Sequence, residues 1–387
     1  MKLLIIDDEE DIGDLISEIA KSQGFDTKVL TSAENIAQVL SEFAPDLIMQ
    51  DLLMPGTDGV ELLRIFADQA KDVQVCLMSG SDARVLSGAR RLGSAHGLNI
   101  IETLEKPLEV GKLKSFFEGI KQNNPEDSVP YQDKESYSKA LSNGEFTLFY
   151  QPVVELKSKN IKGFEALARW NHPSKGILLP DAFLRDLTND GLMQELTDFV
   201  MKEAIEQTAL FYKNGHKYTM AVNITASTLL DLSLPDKISE ICKKYELPPE
   251  FLILEVTETE AMKDTTRTMD VLLRMRLRNI GVAIDDFGTG HSSLRELQRM
   301  PFSELKIDKS FILDSMKSND SKVISQSIID LGHNLGLKVV AEGIENYETM
   351  EFLSKMGCDL GQGFAIGHPM KSSAIDAWID NWQATWS

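Results

Sequence analysis

A chain of 387 residues has room for two or three domains, each with its own core. Hydrophobic residues at 42% and charged residues at 26% exclude a disordered chain, and no apolar run approaches the ~20 residues of a membrane span. Sixty acids against forty bases give a net charge of −20, which leaves no basic field for nucleic-acid binding; a small phosphorylated ligand stays open if metal ions supply the positive charge.

The opening MKLLIIDDEEDIGDL runs from a few apolar residues straight into acids. It lacks the form of a secretory signal, so a cytoplasmic protein is expected. From there, short apolar runs alternate with helical patterns. Leu3–Ile6, Thr27–Leu30, Leu47–Gln50, Val73–Met78 and Ile100–Leu104 are predicted strands. Asp11–Gln23, Ala33–Phe43, Val60–Gln69, Ala83–Leu92 and Val110–Lys121 are predicted helices. Continuous apolar strands alternating with helices imply a doubly wound five-stranded parallel sheet covered on both faces. The stretch Gln122–Pro130, QNNPEDSVP, has no apolar periodicity and reads as a linker.

Beyond it the alternation resumes. Phe146–Pro152, Ile161–Trp170, Thr219–Asn223, Leu252–Val256, Gly281–Asp285, Glu304–Ile307, Lys338–Ala341 and Leu360–Phe364 are predicted strands, with helices between most of them. About eight such units in ~250 residues are what a (β/α)8 barrel requires. The class is therefore α/β, a doubly wound sheet followed by a TIM-like barrel. Cys76, Cys242 and Cys358 are far apart without CxxC spacing, so neither disulfides nor a thiolate zinc site is expected.

Chemistry-bearing residues gather at strand ends in both halves. Asp7 and Asp8 follow the first strand, Asp51 the third, Ser79 the fourth and Lys106 the fifth, all at the rim where such sheets place their sites. Three carboxylates meeting there repel unless a divalent cation lies between them, and oxygen-only ligands suit Mg²⁺. Asp51 could then accept a phosphoryl group, with Ser79 and Lys106 placed to hold its new oxygens. Through IIDDE, MQDLLMPGTDG, LMSGS and EKP the first 122 residues resemble the receiver domain of two-component response regulators. The resemblance implies one Mg²⁺ held by Asp7, Asp8 and Asp51, and phosphorylation of Asp51 by a sensor histidine kinase. Thr103 stands where that family usually has an aromatic switch residue.

In the second half FEALARW brings Glu165 and Arg169, VNIT brings Asn223, LEVTETE brings Glu255 and Glu258, and IDDFGTG brings Asp285 and Asp286. LKID adds Lys306 and Asp308, AEGIE adds Glu342 and Glu345, and GQGF adds Gln362. In a barrel these strand ends converge on one mouth, where so many carboxylates cannot all stay ionised unaided. Paired Mg²⁺ or Mn²⁺ ions ~3.5–4 Å apart would resolve this and clamp a phosphate for in-line attack by water. Lys306 could act on that water as base or as a fixed positive charge, and Arg169 suits a phosphate oxygen.

From YQPVV to QGFAIGHP, and over residues ~133–380 as a whole, the chain resembles the EAL domain of cyclic di-GMP phosphodiesterases, with Glu165–Ala166–Leu167 as the signature. The resemblance implies a modified TIM barrel hydrolysing cyclic di-GMP to linear pGpG with two Mg²⁺ or Mn²⁺. It assigns Glu165, Asn223, Glu255 and Asp285 to one metal, and Asp285, Asp286 and Glu342 to the other. Lys306 would orient or deprotonate the water, with Glu165 and Glu342 also catalytic. Gln151, Leu167, Arg169, Asp308, Glu345 and Gln362 would contact substrate, and Glu258 would steady the DFGTG loop. Such domains are expected to dimerise or form higher homo-oligomers. His291 replaces a frequent Tyr, and FLRDLTNDG lacks a frequent Ala–Glu pair; neither removes a metal ligand.

The expectation is a receiver at 1–122, a linker at 123–132 and a phosphodiesterase at 133–387, regulated through Asp51. Its partners would be cyclic di-GMP, a histidine kinase and further copies of the chain, without nucleic acid or membrane insertion. The rival is a catalytically weak domain that senses cyclic di-GMP or docks a protein; such domains typically lack a metal ligand, and none is missing here. A receiver driving transcription finds no basic recognition helix to support it.

Overall fold

The computed structural model describes the chain apart from residues 55–58, 71–72, 81–82, 123–133, 263, 289–293, 314, 317–318 and 387. The predicted linker, Gly290 and His291 therefore lie outside the described residues. The chain divides into two compact units, Met1–Ser128 and Val129–Ser387. No helix among the described residues is long and apolar enough to cross a membrane.

In the first unit β1 (Lys2–Ile6), β2 (Asp26–Leu30), β3 (Leu47–Asp51), β4 (Gln74–Ser79) and β5 (Asn99–Glu105) form a sheet in the order β2-β1-β3-β4-β5. All its pairings are parallel. Neighbouring residues of one strand enter opposite cores. Leu4, Ile6, Ile48, Val75 and Leu77 pack on one face, and Leu3, Ile5, Leu47, Met49 and Met78 on the other. That two-sided burial is why these strands are apolar without alternation.

In the second unit a helix at Lys134–Ser142 precedes β6 (Phe146–Glu155) and β7 (Ile161–His172). A short hairpin strand, β8 (Gly176–Leu178), follows, and then β9 (Thr219–Asn223), β10 (Leu252–Thr257), β11 (Gly281–Phe287), β12 (Glu304–Ile307), β13 (Lys338–Ala341) and β14 (Leu360–Gln362). The order β6-β14-β13-β12-β11-β10-β9-β7 closes on itself through β6–β7, giving an eight-stranded barrel with β8 appended. β6 runs antiparallel to both β7 and β14, a departure from the uniform barrel. Only residues 156–160 join β6 to β7, too few for the crossover that parallel pairing needs. Short helices at Ala226–Leu229, Glu258–Ala261, Leu294–Arg299 and Lys309–Leu313 follow strand ends and frame the mouth. β14 stops at Gln362, so Phe364 belongs to the rim and not to a strand.

Candidate functional site

Strand register gathers the barrel residues. Glu255 is level with Asn223 and with Ala283, Gln151 pairs with Glu165, and Gln362 pairs with Val153. In a regular strand Asp285 and Asp286 would point to opposite faces. Here the β11–β12 register shifts between Ile284 and Phe287, and Asp286 adopts left-handed φ of 53°. The bulge re-aims consecutive carboxylates, a role bulges commonly have beside active sites. Oxygens of Asp285, Asp286 and Glu342 thereby lie within 4.8 Å of one another.

Lys306 sits at the centre with its side chain 3% exposed. Its Nζ lies 2.6 Å from Glu342 Oε1, 2.8 Å from Glu255 Oε1, 3.3 Å from Asp285 Oδ1 and 3.9 Å from Glu165 Oε2. Burial alone would lower its pKa, but the charges of Glu165, Glu255, Glu342 and Asp285 outweigh burial and hold the proton on. Glu165 is tied on both oxygens: Gln362 Nε2 donates to Oε2 at 2.5 Å and Asn223 Nδ2 to Oε1 at 2.7 Å. Burial pushes Glu165 up, yet Lys306 and these donors bring it below the usual carboxylate range. Glu255 moves the other way, raised by burial and then by Glu165, Asp285 and Glu342 against the pull of Lys306. Its Oε2 is sealed from solvent with no hydrogen-bond donor in reach. An orphaned acceptor, five acids against one lysine and a donor set made only of oxygen fit hard divalent cations. Asp285, Asp286 and Glu342 form one set of neighbouring oxygens, and Lys306 ties Asp285 and Glu342 to Glu165 and Glu255.

A cavity of about 390 Å³ opens above this cluster. Gln151, Glu165, Leu167, Asp285, Glu342, Glu345 and Gln362 line it, as the sequence suggested. Lys309, Leu313 and Phe364 line it too, and sequence reasoning missed them. Gln151 Oε1 accepts from Gln362 Nε2 at 3.0 Å, so one amide orders both Gln151 and Glu165. Glu258 Oε2 accepts from the Gly288 amide at 3.0 Å, steadying the start of the DFGTG segment. Asp308 accepts from the Ser310 amide at 3.0 Å and lies close enough to Asp286 to raise its pKa. Arg169 is placed differently from its expected phosphate role. It is 7% exposed, does not line the mouth cavity, donates to Ala168 O and lies 5.5 Å from the Phe149 ring centre.

The first unit repeats the device. Lys106 Nζ lies 2.6 Å from Asp51 Oδ2, 2.9 Å from Asp7 Oδ2 and 3.2 Å from Glu9 Oε1. Oxygens of Asp7, Asp8 and Asp51 lie within 4.8 Å of one another, with Ser79 fully buried at the neighbouring strand end. Burial raises Asp7, opposed by Lys106 and the Glu9 amide. Glu9 was hidden in the acidic run DDEE. Thr103 is half-buried on β5.

Comparison with known proteins agrees with this geometry. Residues 134–369 match the EAL domain family and residues 3–118 the response regulator receiver domain family. The bifunctional diguanylate cyclase/cyclic di-GMP phosphodiesterase MucR of Pseudomonas aeruginosa is 38% identical over 67% of this chain, which spans 38% of its length. The cyclic di-GMP phosphodiesterase RocR of the same organism is 30% identical over 84% of each chain. The solved MucR phosphodiesterase in complex with c-di-GMP superposes with a TM-score of 0.60 at 38% identity, covering 62% of this chain and 98% of that one. The chain belongs to the EAL domain family and carries a response regulator receiver domain in front of its barrel.

Proposed function

We propose that this chain is a two-component response regulator whose output is hydrolysis of cyclic di-GMP to linear pGpG. We take the receiver as 1–122, the linker as 123–132 and the phosphodiesterase as 133–387. The observation that carries the reading is Lys306 held among four carboxylates beneath an acid-lined cavity. Two Mg²⁺ or Mn²⁺ ions, held by Glu165, Asn223, Glu255 and Asp285 and by Asp285, Asp286 and Glu342, would polarise the phosphate and lower the pKa of the attacking water. Lys306 would orient the attacking water as a fixed positive charge or take its proton as base. Water oxygen bonds to phosphorus, one phosphodiester P–O bond breaks, and the released ribose oxygen takes a proton. Gln362 fixes Glu165 and Gln151 in one arrangement for substrate, Leu167 and Glu345 line the same wall, and Asp308 would contact substrate from beside Asp286. Glu258 holds the loop beside Asp286.

In the receiver, Asp7, Asp8 and Asp51 would hold one Mg²⁺, and Asp51 would accept a phosphoryl group from a histidine kinase. Lys106 and Ser79 are placed for the new oxygens, and this modification changes the output rate. The relatives' names, the complete acid set and the receiver match support the reading of a phosphodiesterase with a receiver, which we further take to be cytoplasmic and homo-oligomeric. The test is incubation of the purified chain with cyclic di-GMP and Mg²⁺ or Mn²⁺, with chromatography for pGpG. Turnover lost in Glu165→Ala is expected; no product with either metal would end the proposal.

A further inference from the structure

A groove of about 510 Å³ runs along the outer wall of the barrel, between β6 and the helix Met193–Lys213. Tyr150 lies in its wall, 5% exposed. Its hydroxyl has no hydrogen-bond partner among the described residues. Burial, then Glu203 and Glu206, push its pKa up, so the phenol keeps its proton and faces those two carboxylates. Glu203 and Glu206 are three residues apart and share one helix face. Their present partners are weak: Lys202 at 3.3 Å from Glu203 is 51% exposed, and Tyr245 donates to Glu206 at 3.0 Å at the surface. Exposed pairs of this kind contribute little and exchange readily.

The far end of the groove has opposite charge. Lys213 is seven residues beyond Glu206, about 10 Å along the helix axis, and its own partner Glu246 is 3.9 Å away and exposed. Leu210, 51% exposed, lies between the two ends. Acid and phenol at one end, an aliphatic wall in the middle and an ammonium at the other describe the complement of an elongated zwitterion. A planar guanidinium suits paired carboxylates and a phenol oxygen better than a point charge does.

The geometry points to a second ligand site in this groove that binds a free basic amino acid, arginine above all, with its guanidinium on Glu203, Glu206 and Tyr150 and its carboxylate on Lys213. Occupancy reaches the mouth through one peptide bond. Tyr150 precedes Gln151, whose Oε1 accepts from Gln362, and the Tyr150 backbone pairs with Met370 in both directions, at 2.7 and 3.0 Å. A ligand that fixes Tyr150 therefore fixes the strand that presents Gln151.

Titration calorimetry of the full chain with L-arginine, without nucleotide, tests the site independently of the phosphodiesterase reading. Saturable one-to-one binding at millimolar concentration or tighter is expected. L-citrulline, of the same shape without the side-chain charge, and agmatine, without the carboxylate, should each bind about tenfold more weakly. Glu206→Gln and Lys213→Met, both at the surface, should weaken arginine binding to a similar degree, and Tyr150→Phe should weaken it while keeping the ring. Absence of saturable heat with arginine, equal binding of citrulline or agmatine, or binding unchanged in the variants would each overturn the proposal.

Discussion

Removing divalent cations and raising the pH should destabilise the barrel. Glu342 lies 2.6 Å from Lys306 with its side chain 19% exposed. Burial, opposed in part by Lys306 and reinforced by Asp285 and Glu165, pushes its carboxyl from 4.5 up to about 8. Asp286 rises from 3.8 to about 6 through burial, then Asp285 and Asp308. Both folded values exceed the unfolded ones, so the folded barrel holds protons that the unfolded chain has released. Stability is then full below the unfolded values and falls as pH rises through the folded ones. At about 1.4 kcal/mol per pKa unit, Glu342 costs a few kcal/mol by about pH 8; Asp286 is more open to solvent and adds less. A cation bound by these acids replaces the protons and adds about 2.7 kcal/mol at a hundredfold excess over its Kd, so the pH dependence should flatten. Trp170, Trp378, Trp382 and Trp386 are the chain's four tryptophans and all belong to the second unit. Urea unfolding followed by tryptophan fluorescence therefore reads the barrel alone. In chelator the midpoint should fall between about pH 5 and pH 8, less so with Mn²⁺, and Glu342→Gln in chelator should be the more stable form at the upper end. A midpoint in chelator that stays level or rises with pH, or a Glu342→Gln barrel weaker than the parent at the upper end, would refute the reasoning.

Three further outcomes are expected. Lys306→Met should lower kcat by about a hundredfold or more with little change in KM, read from initial rates; a change confined to KM would remove Lys306 from the reaction. Gly363→Ala would bring a Cβ to 2.2 Å from both the Ile344 amide nitrogen and carbonyl oxygen. The backbone must shift, so the urea midpoint should drop by the equivalent of about 1–3 kcal/mol, and kcat/KM should fall because Gln362 is next to it. An unchanged midpoint would show that the rim yields freely. Beryllofluoride should change the hydrolysis rate of the parent and leave Asp51→Asn unaffected; an equal response in both would place the acceptor elsewhere.

The parallel sheet of the first unit was legible because both faces of its strands are buried, so apolar runs mark the strands directly. In the barrel, most strands could be read for the same reason, but the direction of β6 could not. Its reversal is decided by the length of the 156–160 connection, not by the residues of the strand. The hairpin strand Gly176–Leu178 leaves Ile177 43% exposed and has no periodicity to find. The C-terminal helix Ile375–Trp386 did carry a signal, Trp378, Trp382 and Trp386 at every fourth position; Trp378 stacks on Trp382, and Trp386 meets Trp382 at a tilt. The site acids were legible because each follows an apolar run. That Asp285 and Asp286 both bring an oxygen within 4.8 Å of Glu342 depends on a bulge and a left-handed Asp286, which no spacing rule announces. Lys309, Leu313 and Phe364 reach the mouth only through the fold of rim segments. Arg169 lies on β7 with its guanidinium on Ala168 O and 5.5 Å from the Phe149 ring centre, a placement set by packing that alternation alone does not predict.

Both sites set one buried lysine among more carboxylates than it can neutralise, and the same shortage has different uses in each. In the barrel the deficit is deep: Lys306 is shared by four acids, and Asp286 stands outside that group as a fifth, a donor set that suits divalent cations. In the receiver Lys106 is 10% exposed and divides itself between Asp7 and Asp51. A phosphoryl group on Asp51 would replace a carboxylate of one negative charge with an acyl phosphate of nearly two, a net gain of about one, and would present three acceptor oxygens that compete with Asp7 for the same ammonium. In the proposed phosphorylated form Lys106 would turn toward the phosphate, leaving Asp7 and Glu9 to a cation or to solvent. With Thr103 in place of an aromatic ring there is no large side chain at that position to swing in response. On that proposal Lys106, joined through Glu105 to the end of β5, would be the part of the receiver with both a reason to move and a covalent route to pass the movement on.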